Sequence, residues 1–310
     1  MAKIFALSNS QKFVKKLTNK PSELITKTFS DGELKVELNE SVREKKVIIV
    51  GSMVNSDDII EMIMAGGAAK GASAKEVIAF VPYLPYMRQD RKDTPRTAIG
   101  AKMIAKMIEC AGFDQIVTMD LHANQIEGFF DIPVTHIEGR SIFIPFIKEK
   151  FDLKDMMIVS TDVGGAKRAK KFASDLNIPL AIINKEREMA NEVSSMELIG
   201  DVTGKKVILV DDMVDTSGSL VKAVDTLLSN GATEVMACIS HGVLSGPAIS
   251  RISESRLTKL YITDSIQKSD DIMDNDKIEA ISCSSIFRKS LEAIKGKTSL
   301  NKILKEIELN

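Results

Sequence analysis

Short runs of apolar residues recur along the chain at intervals that suit alternating strands and helices. The runs are mostly continuous and do not alternate with polar positions, which is typical of strands buried on both faces of a parallel sheet. The predicted strands are residues 47–50, 77–81, 116–119, 157–159, 180–183, 207–210 and 235–239. Alternation of strands and helices over the whole length predicts an α/β protein with parallel sheets, most simply two doubly wound domains.

The stretches between these runs carry apolar residues at helical spacing. One helix is predicted to begin with Ser56 as its N-cap and with two aspartates in its first turn. Two more are predicted over residues 97–111, closed by Gly112, and over residues 219–229, closed by Gly231. The expected apolar stripes are Ile59, Ile60, Ile63 and Met64 in the first helix, Ile99, Met103, Ile104 and Ile108 in the second, and Leu220, Val224, Leu227 and Leu228 in the third.

The length of 310 residues predicts two domains, because a single hydrophobic core seldom serves so long a chain. Gly139 and a charged segment (KEKFDLKD, residues 148–155) follow a strand and place the break near residues 138–153. We therefore predict an N-terminal domain over residues 1–145 and a C-terminal domain over residues 146–310. A formal net charge of −1 argues against a general nucleic-acid or membrane-surface binder.

The N-terminus and the cysteines indicate a cytoplasmic protein. The first residues form only a short apolar stretch followed by lysines, unlike a secretory signal, and no apolar run approaches the roughly 20 residues that span a bilayer. Cys110, Cys238 and Cys283 are isolated from one another and show no CxxC spacing. They are therefore expected to be buried free thiols in a reducing compartment.

Function in such a fold is expected where strands end, because open α/β sheets bind ligands at the carboxyl ends of their strands. Asp211 and Asp212 follow the strand at 207–210, and Asp215–Ser219 then leads into a helix. Backbone amides at such a helix start bind a phosphate, and Gly218 lets the ligand approach closely. The carboxylates would take sugar hydroxyls or Mg²⁺, so a phosphorylated sugar suits the segment; a solvated turn with a good helix cap also fits it.

Three other strand ends carry polar side chains. Asp162 stands before a glycine pair that opens a helix, and His122 follows another strand, yet each alone would equally suit an ordinary cap or a structural hydrogen bond. Residues 83–92 are rich in cations and suit a polyanion such as a nucleotide triphosphate, or simply a solvated basic loop. Residues 184–188 form a charged loop that is too polar to be core.

Taken together, these segments resemble the ribose-phosphate pyrophosphokinase family. The loop DDMVDTSGS resembles a phosphoribosyl-binding signature that this family shares with the type I phosphoribosyltransferases, whose fold the domains are then expected to resemble. The order and spacing of further segments match the family from about residue 29 to about residue 290. These segments are FSDGE (29–33), YMRQDRKD (86–93), DLHANQIEGFFDIPV (120–134), STDVGGAKR (160–168), NKEREMANEV (184–193) and HGVLSGPAISRI (241–252).

The resemblance implies Mg²⁺-dependent transfer of the β,γ-diphosphoryl group of ATP to O1 of ribose 5-phosphate, giving phosphoribosyl pyrophosphate and AMP for nucleotide biosynthesis. It also implies a homo-oligomer, with dimers that assemble into a hexamer, and a neighbouring subunit that supplies the adenine-side contacts. By position, the matching residues are Asp211, Asp212, Asp215, Thr216, Ser217, Gly218 and Ser219 for ribose 5-phosphate; Phe29, Asp31, Gly32, Glu33, Arg88 and Gln89 for ATP; His122 and Asp162 for magnesium; and Lys185 and Arg187 for the catalytic loop.

Some positions depart from the family pattern. Ser217 and Ser219 stand where many members carry Gly and Thr, and the segment at residues 94–100 differs from the usual form. The difference at residues 94–100 leads us to expect weaker activation by phosphate and weaker inhibition by ADP. A phosphoribosyltransferase, which would need only the loop after residue 210, and a catalytically silent regulatory member of the family are the alternatives.

Overall fold

The protein is described by a computed structural model that covers residues 2–186 and 195–296. The strands are β1 (Lys3–Ala6), β2 (Leu24–Thr28), β3 (Leu34–Leu38), β4 (Lys46–Val50), β5 (Glu76–Val81), β6 (Gln115–Met119), β7 (Val134–Ile137), β8 (Met156–Ser160), β9 (Leu180–Glu186), β10 (Ser195–Ile199), β11 (Lys206–Val214), β12 (Glu234–Gly242), β13 (Lys259–Thr263) and β14 (Ile278–Ile281). The helices are α1 (Gln11–Leu17), α2 (Ser56–Gly71), α3 (Gly100–Cys110), α4 (Arg140–Lys150), α5 (Ala166–Leu176), α6 (Gly218–Ser229), α7 (Ala248–Glu254), α8 (Asp270–Met273) and α9 (Ser284–Gly296), with short 3₁₀ helices at Ser8–Ser10 and Asn124–Phe129.

The described chain divides into two compact units. The boundary lies between Glu138 and Gly139, at the start of the segment where the break was predicted, whereas position 145/146 falls inside α4. The end of the described chain also departs from the predicted division, because it returns to the first unit. The first unit comprises residues 2–138, 265–267 and 283–296, and the second comprises residues 139–264 and 268–282 without the undescribed positions.

The first unit contains a five-stranded parallel sheet in the order β1-β4-β5-β6-β7, with the antiparallel hairpin β2-β3 beside it. Helices α2 and α3 cover one face and form a core with residues such as Val47 and Ile49. On another side of the sheet Phe80 packs edge to face on Phe287 of α9, with ring centroids 5.4 Å apart, and Phe13 of α1 packs on the same ring. Burial of these aromatic rings explains why α9 belongs to the first unit.

The second unit contains a seven-stranded sheet in the order β10-β9-β8-β11-β12-β13-β14, parallel except for the pair β10-β9. Helices α6 and α7 pack on one face, and α4 and α5 pack on the other. The chain runs from β8 to β9 on one side and returns to β11 on the other, so the strand order reverses between β8 and β11. Such a reversal opens a crevice at the carboxyl ends of the two strands, where doubly wound sheets bind ligands.

The prediction of a parallel α/β fold is confirmed, and a strand lies at each of the seven predicted positions. All seven strands are longer than predicted, and β9, β11 and β12 extend past their predicted ends by three or four residues. Strand β11 extends through Val214, so Asp211 and Asp212 lie within the strand and not in the loop after it. Strand β9 extends through Glu186, so residues 184–186 are strand and not the predicted charged loop. The ladder to a neighbouring strand carries both β9 and β11 past the end of the apolar run from which each was predicted.

The predicted helices exist, with corrections at their ends and on their surfaces. Helix α2 is capped by Asn55 and not by Ser56, because the Asn55 side chain accepts from the backbone N–H of Asp58 at 3.0 Å. Ile60 and Met64, predicted as part of its apolar stripe, are 42% and 39% exposed. The three cysteines are free, but Cys110 is exposed, contrary to the prediction. No helix among the described residues has the length and apolar character needed to cross a membrane.

Candidate functional site

The strand reversal between β8 and β11 brings an acid pair, a hydroxyl and a guanidinium together. Thr161, directly after β8, donates its hydroxyl to Asp211 of β11. Arg168 of α5 reaches the same two aspartates, with Nη1 at 3.3 Å from Asp211 Oδ1 and 3.0 Å from Asp212 Oδ1. Asp212 is almost wholly buried, at 2%, whereas the Asp211 side chain keeps 24% of its surface exposed. Asp211 is thus the member of the pair that faces solvent.

The charge on Asp211 is poorly stabilised in this arrangement. Burial, and after it the adjacent carboxylate of Asp212, raise the pKa of Asp211 from its ordinary value to about 7, while the Arg168 guanidinium and the Thr161 hydroxyl act in the opposite direction. The groups around Asp211 therefore stabilise its negative charge only in part, and a hydroxyl donor of a ligand would stabilise it further. Sugar hydroxyls are donors of this kind.

The loop after β11 leads directly into α6 through Ser217, which stands at φ 62° and ψ 0° in the left-handed region. Its side chain makes no capping hydrogen bond, and its Oγ is buried without a hydrogen-bond partner in the described part of the chain. The first amides of α6 lack intrahelical acceptors, as at every helix start. Buried donors and free amides together make the loop fit for an oxyanion.

The loop is held from the side by the segment that follows β12. The backbone N–H groups of Val243 and Leu244 both donate to Val214 O, at 2.9 and 3.1 Å. Ser245 donates its N–H to Asp215 O at 3.1 Å and its hydroxyl to the Asp215 carboxylate. These bonds fix the backbone of the predicted phosphate loop before any ligand arrives, and they leave Thr216 and Ser219 exposed.

The other residues predicted for the second unit lie around the same strand ends. Asp162 is partly buried and accepts from Gly165 N at 2.8 Å, so one of its carboxylate oxygens serves the turn that opens α5. Lys185 lies on β9, opposite Met196 of β10 in the ladder, and its side chain is outside the described part of the chain. Arg187 is outside the described residues altogether.

The first unit brings the predicted ATP loop next to the segment that carries His122. Arg88 and Gln89 are exposed in the loop after β5, and His122 is exposed after the neighbouring strand β6. Gln125 donates to Asp90 at 3.0 Å and thereby joins the two loops. The predicted ATP loop and His122 therefore lie at one edge of the same sheet, because the neighbouring parallel strands β5 and β6 both end there.

The backbone before His122 is held in an unusual conformation. Asp120 has a φ of 37°, which few non-glycine residues adopt. Leu121 donates its N–H to His136 Nε2 at 3.0 Å, and His136 Nδ1 lies 2.8 Å from Glu127 Oε1. An acceptor at Nε2 requires the proton to be on Nδ1, which then donates to Glu127. His136 thus fixes the turn from which His122 projects.

The segment FSDGE forms the exposed tip of the β2-β3 hairpin. Phe29 N donates to Glu33 O at 2.8 Å, Asp31 accepts from Glu33 N at 3.1 Å, and Gly32 takes a φ of 92° that favours glycine. The Phe29 side chain is 43% exposed, with Lys27 Nζ at 5.5 Å from the ring centroid. The tip is a hydrogen-bonded turn with an exposed aromatic ring.

The side chains predicted to bind magnesium are few. No three His, Cys, Asp or Glu side chains within the described ranges gather into a metal cage. Mg²⁺ is usually bound through one or two carboxylates together with waters and substrate phosphates. His122 in the first unit offers a nitrogen and Asp162 in the second unit offers a carboxylate, and Mg²⁺ accepts a single protein carboxylate where a phosphate supplies further oxygens.

Three side chains that contact predicted site residues or the backbone beside them were not predicted from the sequence. Arg168 lies in a segment that was read for Asp162 and its glycines, Arg251 lies in a segment that served only the family resemblance, and His136 lies just beyond another such segment. A signal existed for Arg168, because a pair of adjacent acids in a buried strand requires a nearby cation. No sequence pattern indicated that His136 accepts from a backbone N–H fifteen residues earlier.

Comparisons with known proteins cover both units. Residues 2–112 match the N-terminal domain of ribose phosphate pyrophosphokinase, and residues 186–305 match the phosphoribosyl synthetase-associated domain. The chain is 40% identical over 296 residues to a ribose-phosphate pyrophosphokinase of Porphyromonas gingivalis, with 94% of each chain covered. It is 32% identical to the crystal structure of phosphoribosylpyrophosphate synthetase from Mycobacterium smegmatis, with a TM-score of 0.89, 96% of this chain covered and 99% of that chain covered.

Proposed function

Since the chain belongs to the ribose-phosphate pyrophosphokinase family, whose members make phosphoribosyl pyrophosphate, we propose that it transfers the β,γ-diphosphoryl group of ATP to O1 of ribose 5-phosphate and releases AMP. The observation that carries this proposal is the position of the acid pair on β11, directly before a helix start whose amides and hydroxyls suit a phosphate. A sugar phosphate carries hydroxyls that can donate to the acids and a phosphate that can accept from the helix start.

In this proposal ribose 5-phosphate binds to the loop Asp215–Ser219. The amides at the start of α6 and the hydroxyls of Thr216, Ser217 and Ser219 donate to the 5-phosphate, and Gly218 permits close approach. Asp211 accepts from the ribose hydroxyls, since it is the more exposed of the two acids. Asp212 is too deeply buried to reach the sugar, and it instead holds Arg168 in place.

ATP binds, in this proposal, between the basic loop of one subunit and the hairpin tip of another. Arg88 and Gln89 donate to the phosphates, and the exposed ring of Phe29 stacks on adenine with Asp31, Gly32 and Glu33 around it. The hydrogen-bonded turn and its exposed ring support this assignment. Mg²⁺ supplies charge neutralisation on the phosphoryl oxygens when it is bound, and His122 and Asp162 would hold it.

The transfer itself requires in-line positioning and stabilisation of charge, because the sugar hydroxyl attacks directly and no side-chain nucleophile is needed. We assign that role to Lys185 and Arg187. Lys185→Ala is expected to lower kcat by two orders of magnitude or more, roughly the cost of one lost charged donor in a transition state, with KM values nearly unchanged. Lys170→Ala, at an exposed position of α5, is the matched control. Normal turnover by the Lys185 variant would contradict the assignment.

We also propose that the chain is a homo-oligomer, with a hexamer of three dimers as its form, that acts in the cytoplasm without nucleic-acid partners. Ile60 and Met64 on α2, and Met103 and Met107 on α3, are exposed apolar pairs at a spacing of four residues on neighbouring helices. Such a patch suits burial against a second copy. Light scattering should give a mass above that of one chain, and Met103→Glu should lower it, whereas Ile199→Glu should not. A monomer would contradict this part of the proposal.

One assay tests the activity. The protein is incubated with Mg-ATP and ribose 5-phosphate, with and without inorganic phosphate, and AMP is measured. AMP formation that depends on ribose 5-phosphate supports the proposal. A parallel incubation with phosphoribosyl pyrophosphate and a nucleobase tests the alternative, because base-dependent release of pyrophosphate there would indicate a phosphoribosyltransferase. The absence of both activities would indicate a silent regulatory member. The altered segment at residues 94–100 leads us to expect a weak response to phosphate, which a strong phosphate requirement would refute.

A further inference from the structure

Arg251 of α7 lies against the backbone of the predicted phosphate loop. Its Nη1 donates to Thr216 O at 2.9 Å. The same Nη1 is the nearest atom to the position that a Cβ on Gly218 would take, at 3.2 Å. The guanidinium thus packs beside the two residues at which the loop turns into α6, and the absence of a side chain at Gly218 leaves room for it.

Arg251 differs from the other arginines around this region in having no acidic partner in the described part of the chain. Arg168 pairs with the acids on β11, and Arg256 pairs with Asp225 at 3.0 Å. Arg251 is exposed and is bonded to a backbone carbonyl. One such bond leaves most of the N–H donors of a guanidinium and its full positive charge uncommitted.

The position of Arg251 follows from the way α7 is attached. The segment before the helix donates backbone hydrogen bonds to Val214 and Asp215 at the start of the loop. Ala248 and Ile252 of α7 are buried in the core under the sheet. Both α7 and the segment before it are therefore fixed, and they hold the backbone of Arg251 beside the loop.

We propose that Arg251 is a substrate-binding residue that determines specificity for the 5-phosphate of the sugar. It holds the Thr216 carbonyl away from the anion and offers its remaining donors and its charge to the phosphate. A loop that begins with Asp215 and follows Asp211 and Asp212 needs such a cation to favour a phosphate dianion over a neutral sugar end. This inference rests on the proposed binding of ribose 5-phosphate at this loop.

The test compares Arg251→Gln, Arg251→Lys and the control Arg256→Gln by steady-state AMP formation. For Arg251→Gln we expect KM for ribose 5-phosphate to rise about tenfold or more, the loss typical of one charge-assisted hydrogen bond. KM for ATP and kcat should stay within about threefold of the wild-type values, a change smaller than the loss of one neutral hydrogen bond would typically cause. Arg251→Lys keeps the positive charge but loses the planar guanidinium and its paired N–H donors. Its KM for ribose 5-phosphate should therefore lie between those of the wild type and Arg251→Gln.

The dependence of KM on ionic strength distinguishes a direct interaction between the Arg251 charge and the phosphate from a purely structural role in supporting the loop. KM for ribose 5-phosphate in the wild type should rise between low and high salt, and this rise should be much smaller in Arg251→Gln. A KM and a salt response equal to those of the wild type would overturn the proposal. So would an equal rise in KM for both substrates with a lowered thermal midpoint, which is what a purely structural role would produce.

Calorimetric binding of ribose 5-phosphate to the same variants keeps this inference separate from the proposed activity. Binding that weakens in Arg251→Gln supports the role of Arg251 even if no AMP is formed, and only the activity would then fail. If Arg251→Gln does not fold, Arg251→Lys decides, because an unchanged KM in that variant together with a flat salt response in the wild type would overturn the proposal.

Discussion

Arg168 Nη1 lies 3.0 Å from Asp212 Oδ1, and the Asp212 side chain is only 3% exposed. Removing the guanidinium would leave a buried carboxylate without this cation, which typically costs about 3–5 kcal/mol. Arg168→Leu should therefore lower the midpoint of thermal unfolding by about 5–10 °C, as the size of such a domain implies. Its affinity for ribose 5-phosphate should fall too, because the acid pair loses its orientation.

The control for this prediction is Arg256→Leu. The Arg256–Asp225 pair has a similar distance, 3.0 Å, but both side chains are more than half exposed. Exposed pairs contribute less than about 1 kcal/mol. Equal effects of the two substitutions on the midpoint would show that burial of Asp212 does not govern the contribution of Arg168.

Asp211 should make the stability of the ligand-free protein depend on pH. Burial raises its folded-state pKa to about 7, above the unfolded value of about 3.9. Its favourable contribution is therefore fully present below about pH 4 and is lost as the pH rises through about 7. Asp211→Asn should gain thermal midpoint relative to the wild type between pH 5 and pH 8, by several degrees.

The measurement is the difference between the midpoints of the variant and the wild type at each pH. Asp225→Asn, at an exposed carboxylate, is the control and should leave that difference nearly constant. A difference for Asp211→Asn that also stays constant from pH 5 to pH 8 would contradict the raised pKa.

Ser217 combines a left-handed backbone with a buried hydroxyl that lacks a partner. Glycine accepts that backbone freely and removes the hydroxyl, so Ser217→Gly should stabilise the ligand-free protein by about 1 kcal/mol. Ser217→Ala removes only the hydroxyl and should give a smaller gain. Thermal midpoints in phosphate-free buffer test the order Gly above Ala above Ser, and a Gly variant less stable than the wild type would argue against backbone strain.

His136 should protect the amide of Leu121 from exchange with solvent. His136→Phe leaves that N–H without its acceptor, whereas His136→Gln retains a side-chain oxygen that can accept. Hydrogen exchange at Leu121 should therefore be faster by about tenfold or more in the Phe variant and less affected in the Gln variant. The amide of Val36 in the β2-β3 hairpin is an internal reference. Equal exchange at Leu121 in all three proteins would exclude the His136 bond as the restraint.

Much of the fold was predictable because strands in parallel sheets are marked by local composition. The seven apolar runs each became a strand, and the loop after residue 214 became a helix start. The ends of the strands were less predictable. Asp211 and Asp212 lie within β11 because β12 continues the ladder beside them, and this pairing depends on a partner 28 residues away along the chain.

The sequence by itself determined the family, the parallel strands and the polar segments at their carboxyl ends, since each depends on residues close together in the chain. The tertiary structure decided which unit α9 joins, through Phe287 packing on Phe80, and which cation balances the acids of β11. It also decided that Arg251 lies beside Gly218. These relationships join side chains from distant segments, and only the packing of helices on a finished sheet sets their distances.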